Sequence, residues 1–287
     1  MDIEIVINRS GIYGGVKRLY AIAEYLRDAG HNTVVNSEDG KKNTWFQHSI
    51  PENVGIRPQI RLCAETCRRL LANAVNILYQ QAQFDVPEPE EQFDLVVTTT
   101  KYLSNFLVDN SGITPDYQIP YGFDSNLFKP GKEHPELTTV AYMPRKNKEE
   151  FDLITQLMPR NMVKFVAIDG SSEADVIKIL QKANIFLALS KSEGFGMPPF
   201  EASLCGCLLI GYHGMGGKEW LTKNTCVLTG GPQEFPLRIQ EALKGEHEDK
   251  RLALQQLIKD HLTVEKERNS WLTVINHGIQ IYSRKFV

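Results

Sequence analysis

Residues 184–211 read NIFLALSKSEGFGMPPFEASLCGCLLIG, and this stretch decides the fold. Its first six residues, apolar after Asn184, suit a buried strand. A glycine-containing turn follows, then a helix predicted over 199–205. Pro198 and Pro199 open that helix, where proline is tolerated because first-turn amides have no partner within the helix. A second apolar run, 207–211, reads as another strand. Strand, helix and strand in succession make a crossover unit, and crossovers of this kind build parallel sheets covered by helices on both faces.

The same rhythm extends outward in both directions. Towards the C-terminus, residues 233–243 and two further segments, the last over 265–282, carry helical spacing. Towards the N-terminus, 174–183 reads as a helix, 163–168 as a strand, 149–157 as a helix and 138–142 as a strand. Before these lies GKEHPE (131–136), polar and proline-containing with no apolar period, where a domain boundary is expected. The rhythm then recurs. Residues 3–7, IEIVI, read as a buried strand. Val16, Leu19, Tyr20, Ile22, Ala23 and Leu26, three and four apart, give one apolar helix face that Gly30 ends. Residues 32–35, 74–79 and 94–98 read as strands, and 102–108 as a helix. The expectation is an α/β protein of two Rossmann-like domains, residues 1–130 and 131–287. The final helix either closes the second domain or crosses back to the first.

Composition narrows the class. The chain has 287 residues, 42% hydrophobic and 23% charged, which is ordinary for a soluble globular protein. A net charge of -3, from 32 Lys and Arg against 35 Asp and Glu, shows none of the basic excess of a nucleic-acid binder. There is no apolar run long enough to span a membrane, and the opening MDIEIVINRS lacks the basic region and long apolar run of a signal peptide. Five cysteines, Cys63, Cys67, Cys205, Cys207 and Cys226, are read as reduced packing residues of a cytoplasmic protein. Cys63 and Cys67, four apart, are expected on one face of a helix. Cys205 and Cys207 are too close in sequence for a zinc knuckle.

The chemistry concentrates in the turn 190–196. A glycine-rich turn at a helix N-terminus presents amide groups and a partial positive charge, an anion-binding geometry. Gly194 and Gly196 let the backbone approach a ligand closely. Glu193 and Glu201 are eight apart, slightly over two helical turns, so a short turn plus helix would aim both carboxylates at one ligand. Carboxylates accept paired hydrogen bonds from vicinal hydroxyls, as on ribose or a hexose.

Ser190, Glu193-Gly-Phe-Gly196, Glu201-Ala202 and Gly206 match in order and spacing the E-x7-E signature of retaining glycosyltransferases. The chain resembles the family-4-like group of these enzymes, whose GT-B architecture has two facing Rossmann-like domains. Residues 119–130, IPYGFDSNLFKP, look like that group's interdomain segment, with Gly122 where a positive-φ turn is wanted. Gly11, Gly14 and Gly15 resemble its N-terminal glycine loop, which lies against the donor phosphate or the acceptor. Gly214, Gly217 and Glu219 resemble a further glycine loop, one residue short, with His213 beside it.

The resemblance implies the roles. The substrate is a nucleotide-diphosphate-sugar, and the other partner is a hydroxyl acceptor, with membrane contact only through that acceptor. Glu201 holds the donor ribose. Gly14, Gly15, Gly194, Phe195 and Gly196 line the donor. Arg145 and Lys146, after the first strand of the second domain, neutralise the leaving diphosphate; here the lysine is adjacent to the arginine rather than several residues on, so Lys148 is the alternative. Glu193 orients the sugar. The group's late N-domain histidine has no counterpart, since the first domain holds only His31 and His48; Gln81 or Gln83 is the candidate substitute. No HExxH or Asp-x-Asp pattern occurs, so neither metal nor other cofactor is expected, and the fixed cations and helix N-termini take the metal's place.

Two other classes remain. An NAD(P)-dependent oxidoreductase shares the βαβ units, and Glu38 would be its ribose acid, but GxGxxG after the first strand is absent. A non-catalytic nucleotide-sugar-binding protein would show a decayed site; Glu193, Glu201 and Arg145 are intact, while the missing histidine points the other way.

Overall fold

The computed structural model describes residues 1–11, 14–64, 70–83, 92–131 and 138–287. Cys67, the two residues between Gly11 and Gly14, and most of the polar stretch 131–136 lie outside the described residues.

The chain forms two compact units, Met1–Tyr121 with Glu265–Val287, and Gly122–Val264. In the first unit β1 (Asp2–Ile7), α1 (Gly14–Asp28), β2 (Asn32–Ser37), β3 (Ile60–Ala64), β4 (Val75–Gln80), β5 (Leu95–Thr98), α2 (Lys101–Ser111) and β6 (Tyr117–Gln118) follow in order. The strands pair in parallel in the order β2-β1-β3-β4-β5-β6. Ile5 sits opposite Val35 on one side and Leu62 on the other. Helix α1 buries Leu19, Tyr20, Ile22, Ala23 and Leu26, the face its spacing predicts. It ends in a Schellman pair, with the Gly30 amide on the Arg27 carbonyl and the His31 amide on the Leu26 carbonyl.

The second unit holds β7 (Thr139–Tyr142), α3 (Pro144–Leu157), β8 (Lys164–Ala167), α4 (Glu173–Lys182), β9 (Ile185–Ala188), α5 (Met197–Leu204), β10 (Leu208–Gly211), β11 (Val227–Leu228), α6 (Phe235–Leu243) and α7 (Glu248–His261). Its parallel sheet runs β11-β10-β9-β7-β8. Val140, Leu187 and Ile210 of the sheet pack with Ile154, Phe235 and Ile239.

The last helix, α8 (Val264–Phe286), returns to the first unit. Trp271 meets the Tyr79 ring edge-to-face at 4.8 Å, and Gly278 lies against Ile60 and Ile77 of the sheet. A buried ion pair joins Arg18 of α1 to Glu267 Oε2, which also accepts from the Tyr25 hydroxyl at 3.1 Å. Among the described residues no helix is long and apolar enough to cross a membrane.

Four features differ from the sequence reading. Cys63 lies in strand β3, not on a helix. This strand pairs with β1 and β4, but its residues IRLCA include a charge and so show no continuous apolar run. The charge within it, Arg61, is neutralised by Glu4 at 2.6 Å. The two-residue strands β6 and β11 are too short to show a period. The units divide at 121/122 rather than 130/131, because residues 122–130 pack into the second unit. Phe123 stacks on Phe200 at 5.3 Å, and Gly206 faces Pro130. Finally, Gly122 does not take a positive φ. Glycine is required there because a Cβ would lie 2.5 Å from the Thr263 carbonyl oxygen.

Candidate functional site

In the second sheet β7 sits between β8 and β9. The chain therefore reverses its direction of winding at β7, and in open α/β sheets ligands bind outside the carboxyl ends of the strands at such a point. The loops after β7, β9 and β10 meet there. Met143, Lys146, Leu189, Ser190, Glu193, Gly196, Pro198, Tyr212, His213 and Gly214 are among the residues lining the resulting pocket.

The loop after β7 supplies the cations. Pro144 starts a single helical turn, and Asn147 interrupts it with extended backbone (φ -175°, ψ 77°) before the body of α3. This explains why α3 begins earlier than the predicted 149. Arg145 is exposed, its guanidinium reaching the Met143 sulfur at 3.8 Å. Lys146 is half-buried, and its ammonium pairs with the Glu193 carboxylate. Lys148 instead pairs with Asp152 one turn along α3, at 2.9 Å, with both side chains well exposed.

The loop after β9 supplies Glu193 and the helix N-terminus. Gly196 is the N-cap of α5, in the left-handed region (φ 86°, ψ 65°) and without a side-chain cap bond. Pro198 and Pro199 carry no N–H, so the first turn has only the Met197 and Phe200 amides as donors. The Phe195 ring, 2% exposed, is held among Phe123 and Phe200, which anchors the loop to the core. Glu201 is on α5 and partly buried.

The loop after β10 backs the second. The Glu193 amide donates to the Gly214 carbonyl at 2.9 Å, and the Gly216 amide donates to the Glu193 carbonyl at 3.1 Å. Gly216 must be glycine, since a Cβ there would lie 1.8 Å from the Gly194 carbonyl oxygen. Residues 216–219 then form a 3-10 turn ending at Glu219. Tyr212, which the sequence reading passed over, donates from its hydroxyl to Glu150 at 2.6 Å. Burial and the Glu150 charge raise its pKa. Glu150 also pairs with Lys191, whose ammonium lies 5.1 Å over the Tyr212 ring. No pattern in the sequence joins these three, because they come from separate loops and a helix.

In the first unit, Gly14 and Gly15 open α1. Gln81, just past β4, donates through Nε2 to the Gly15 carbonyl at 3.2 Å and to the Tyr121 hydroxyl at 3.0 Å. A Cβ on Gly15 would stand 3.0 Å from the Gln81 oxygen. Gln83 accepts from the Tyr102 hydroxyl instead. His48 lies 3.7 Å from Glu52 and packs on Tyr20.

Similarity to known proteins bears on the family and the fold. Residues 133–259 match the model of the family described as glycosyl transferases group 1. The chain is 26% identical over 130 residues to the alpha-1,6-glucosyltransferase of Actinobacillus pleuropneumoniae serotype 7 (strain AP76), a match covering 44% of this chain and 39% of that protein. The chain thus spans about two-fifths of the length of this curated relative. Among solved structures, sucrose-phosphate synthase from Thermosynechococcus elongatus superposes with a TM-score of 0.77 at 13% identity, covering 99% of this chain and 100% of the other. Anabaena HepE, solved in complex with UDP and glucose, gives 0.76 at 16% identity over 96% and 100%. The fold is therefore α/β with two Rossmann-like units, as in GT-B glycosyltransferases.

Proposed function

We propose that this protein transfers a sugar from a nucleotide-diphosphate-sugar to a hydroxyl acceptor, with retention of anomeric configuration and without a metal ion. The observation that carries the reading is the meeting of Lys146 and Glu193, from two different loops, in a pocket at the strand carboxyl ends. A cation for a diphosphate and a carboxylate for sugar hydroxyls stand side by side there. The family match over the second unit and the UDP and UDP-glucose found in HepE structures make UDP-glucose the first donor to try.

The chemistry needs these groups. As the glycosidic bond breaks, negative charge grows on the departing diphosphate. Arg145 and Lys146, with the α5 N-terminus, stabilise that charge without a divalent cation. Glu201 takes the donor ribose through its vicinal hydroxyls. Gly14 and Gly15 serve the acceptor side or the donor phosphate, with Gln81 beside them in place of the group's usual histidine. Glu193 orients the sugar and stabilises its developing positive charge. A double displacement needs a carboxylate nucleophile on the face opposite the leaving group. Glu193 pairs with Lys146, the cation this reading assigns to the leaving diphosphate, which supports front-face substitution: the diphosphate leaves, its oxygen takes the acceptor hydroxyl's proton, and the acceptor oxygen bonds the anomeric carbon on the same face. The buried thiols of Cys205, Cys207 and Cys226 support a cytoplasmic setting.

The test is calorimetry and turnover with UDP-, GDP- and ADP-sugars. Glu201→Ala is expected to weaken nucleoside diphosphate binding by about 1–3 kcal/mol. Arg145→Ala is expected to lower kcat/KM by more than it weakens ground-state binding. Product NMR reads the linkage, and an inverted anomer refutes retention. Mass spectrometry of Glu193→Gln with donor is expected to show no sugar adduct; a sugar-bearing residue 193 peptide in the unmodified protein overturns the front-face step. Failure of every nucleotide sugar to bind or turn over rejects the reading.

A further inference from the structure

The loop after β10 holds an unusual turn. Met215 has φ 60° and ψ -71°, and the Gly216 amide donates to the Gly214 carbonyl across it at 2.7 Å. This is a γ-turn of the strained hand at a non-glycine residue, a conformation that persists only where its surroundings hold it. The two residues flanking Met215 are the ones that grip Glu193: the Gly214 carbonyl takes its amide, and the Gly216 amide takes its carbonyl. The Glu193 side chain is held by Lys146. The turn at Met215 therefore sets where the Glu193 carboxylate stands.

One side chain holds that turn. His213 Nδ1 accepts the Met215 amide at 3.0 Å. The contact needs a lone pair on Nδ1, with the proton on Nε2. In the doubly protonated ring both nitrogens are donors, and Nδ1 would then oppose the Met215 N–H. The groups around the ring set its state. Lys218, on the following 3-10 turn, acts on it electrostatically, and Lys146 and Glu193, on the loops after β7 and β9, line the same pocket. The Tyr212 hydroxyl is committed to Glu150, which also pairs with Lys191. Burial and then the Lys218 charge lower the His213 pKa, so the neutral ring persists below the usual imidazole range.

From this geometry we infer that His213 is a positioning residue: neutral Nδ1 pins the Met215 turn, and the turn holds Glu193 at the reacting sugar. Its protonation releases the Met215 amide, lets the Gly214 carbonyl swing, and frees Glu193 from its place beside Lys146. Transfer activity then falls as pH drops through the lowered His213 pKa. The inference rests on the sugar-transfer reading for its effect on rate, but not for its effect on the loop.

Three variants separate this role from direct ligand contact. Asn carries an acceptor at the same distance from the backbone as Nδ1 and does not titrate. Gln reaches instead to the position of Nε2. His213→Asn is expected to keep kcat within about threefold and to lose the His213 part of the acid limb. His213→Ala and His213→Gln are expected to lower kcat at least tenfold with little change in donor KM. Rescue by Gln and not Asn would show that Nε2 works on the ligand and overturn the proposal. An independent readout uses no substrate. In 15N NMR the Met215 and Glu193 amides are expected to titrate with the His213 ring in the unmodified protein and to be pH-invariant in His213→Asn. Amides that ignore the His213 titration would overturn the proposal even if transfer proceeds. Conversely, a protein that transfers no sugar but shows the coupled titration loses the functional reading and keeps this one.

Discussion

Replacing Gly216 by alanine tests how tightly the loops after β9 and β10 are locked. The new Cβ would lie 1.8 Å from the Gly194 carbonyl oxygen, 2.4 Å from its carbon and 2.8 Å from the Glu193 oxygen. All three atoms are backbone, so no side chain can turn aside. Ordinary contacts of this kind lie near about 3.5 Å, so the loops must part by more than about 1 Å or be overpacked. Overpacking costs about 1–3 kcal/mol. Parting instead removes the Glu193–Gly214 and Gly216–Glu193 bonds, about 1 kcal/mol each. Both routes converge on a loss of about 2 kcal/mol of stability. Parting also displaces Glu193, and on the proposed reading, in which this residue orients the sugar, a shift of about 1 Å lowers the rate by about 100-fold. Gly217→Ala is the control one residue away, where the nearest atom is the tip of Leu221 at 3.2 Å, which can rotate. It is expected to change stability by less than about 0.5 kcal/mol. Urea unfolding followed by circular dichroism measures the first effect, and kcat/KM the second. If Gly216→Ala matches Gly217→Ala in both, the loops are not locked in the way described.

Three further outcomes are expected. Glu267→Ala leaves Arg18 charged and buried between α1 and α8, so it should destabilise by about 3–5 kcal/mol, while Arg18→Met with Glu267→Leu should recover most of that loss; denaturant midpoints decide, and equal losses would remove the pair from its role. Burial, with the Glu201 charge, pushes the Cys205 thiol up to about 12, and burial pushes Cys226 up to about 12. Since the thiolate is the reactive form, neither should alkylate in native protein at mildly alkaline pH, and both should on unfolding; peptide mapping showing native Cys205 modified contradicts this. EDTA should leave transfer unchanged, and activity lost to EDTA and restored by magnesium or manganese would overturn the metal-free reading.

Local patterns in the chain were enough for the alternation of strands and helices. The 3.6-residue spacing along α1 repeats one buried face, and the short apolar runs at β1, β7, β9 and β10 mark strands that are covered by the core. The turn 190–196 was likewise legible as a glycine-rich passage from a strand into a helix, since glycine and proline act on their own backbone. Longer-range choices were not legible in this way. Strand β3, IRLCA, carries Arg61 within it, so no continuous apolar run betrays it as at β9 and β10, and its partner β1 is far away in sequence. Gly122 suggested a turn, but its need for a missing Cβ comes from Thr263, about half the chain away. The different surroundings of Lys146 and Lys148 depend on which loop lies opposite: one ammonium meets Glu193 in the pocket wall, and the other meets Asp152 on the surface of α3. The grip of His213 on Met215 is only two residues long, yet its consequence for Glu193 exists only because the sheet order places the loop after β10 beside the loop after β9. Periodicity records whether a residue is buried; which distant group it is buried against is set by strand order and close packing, and those are properties of the folded chain.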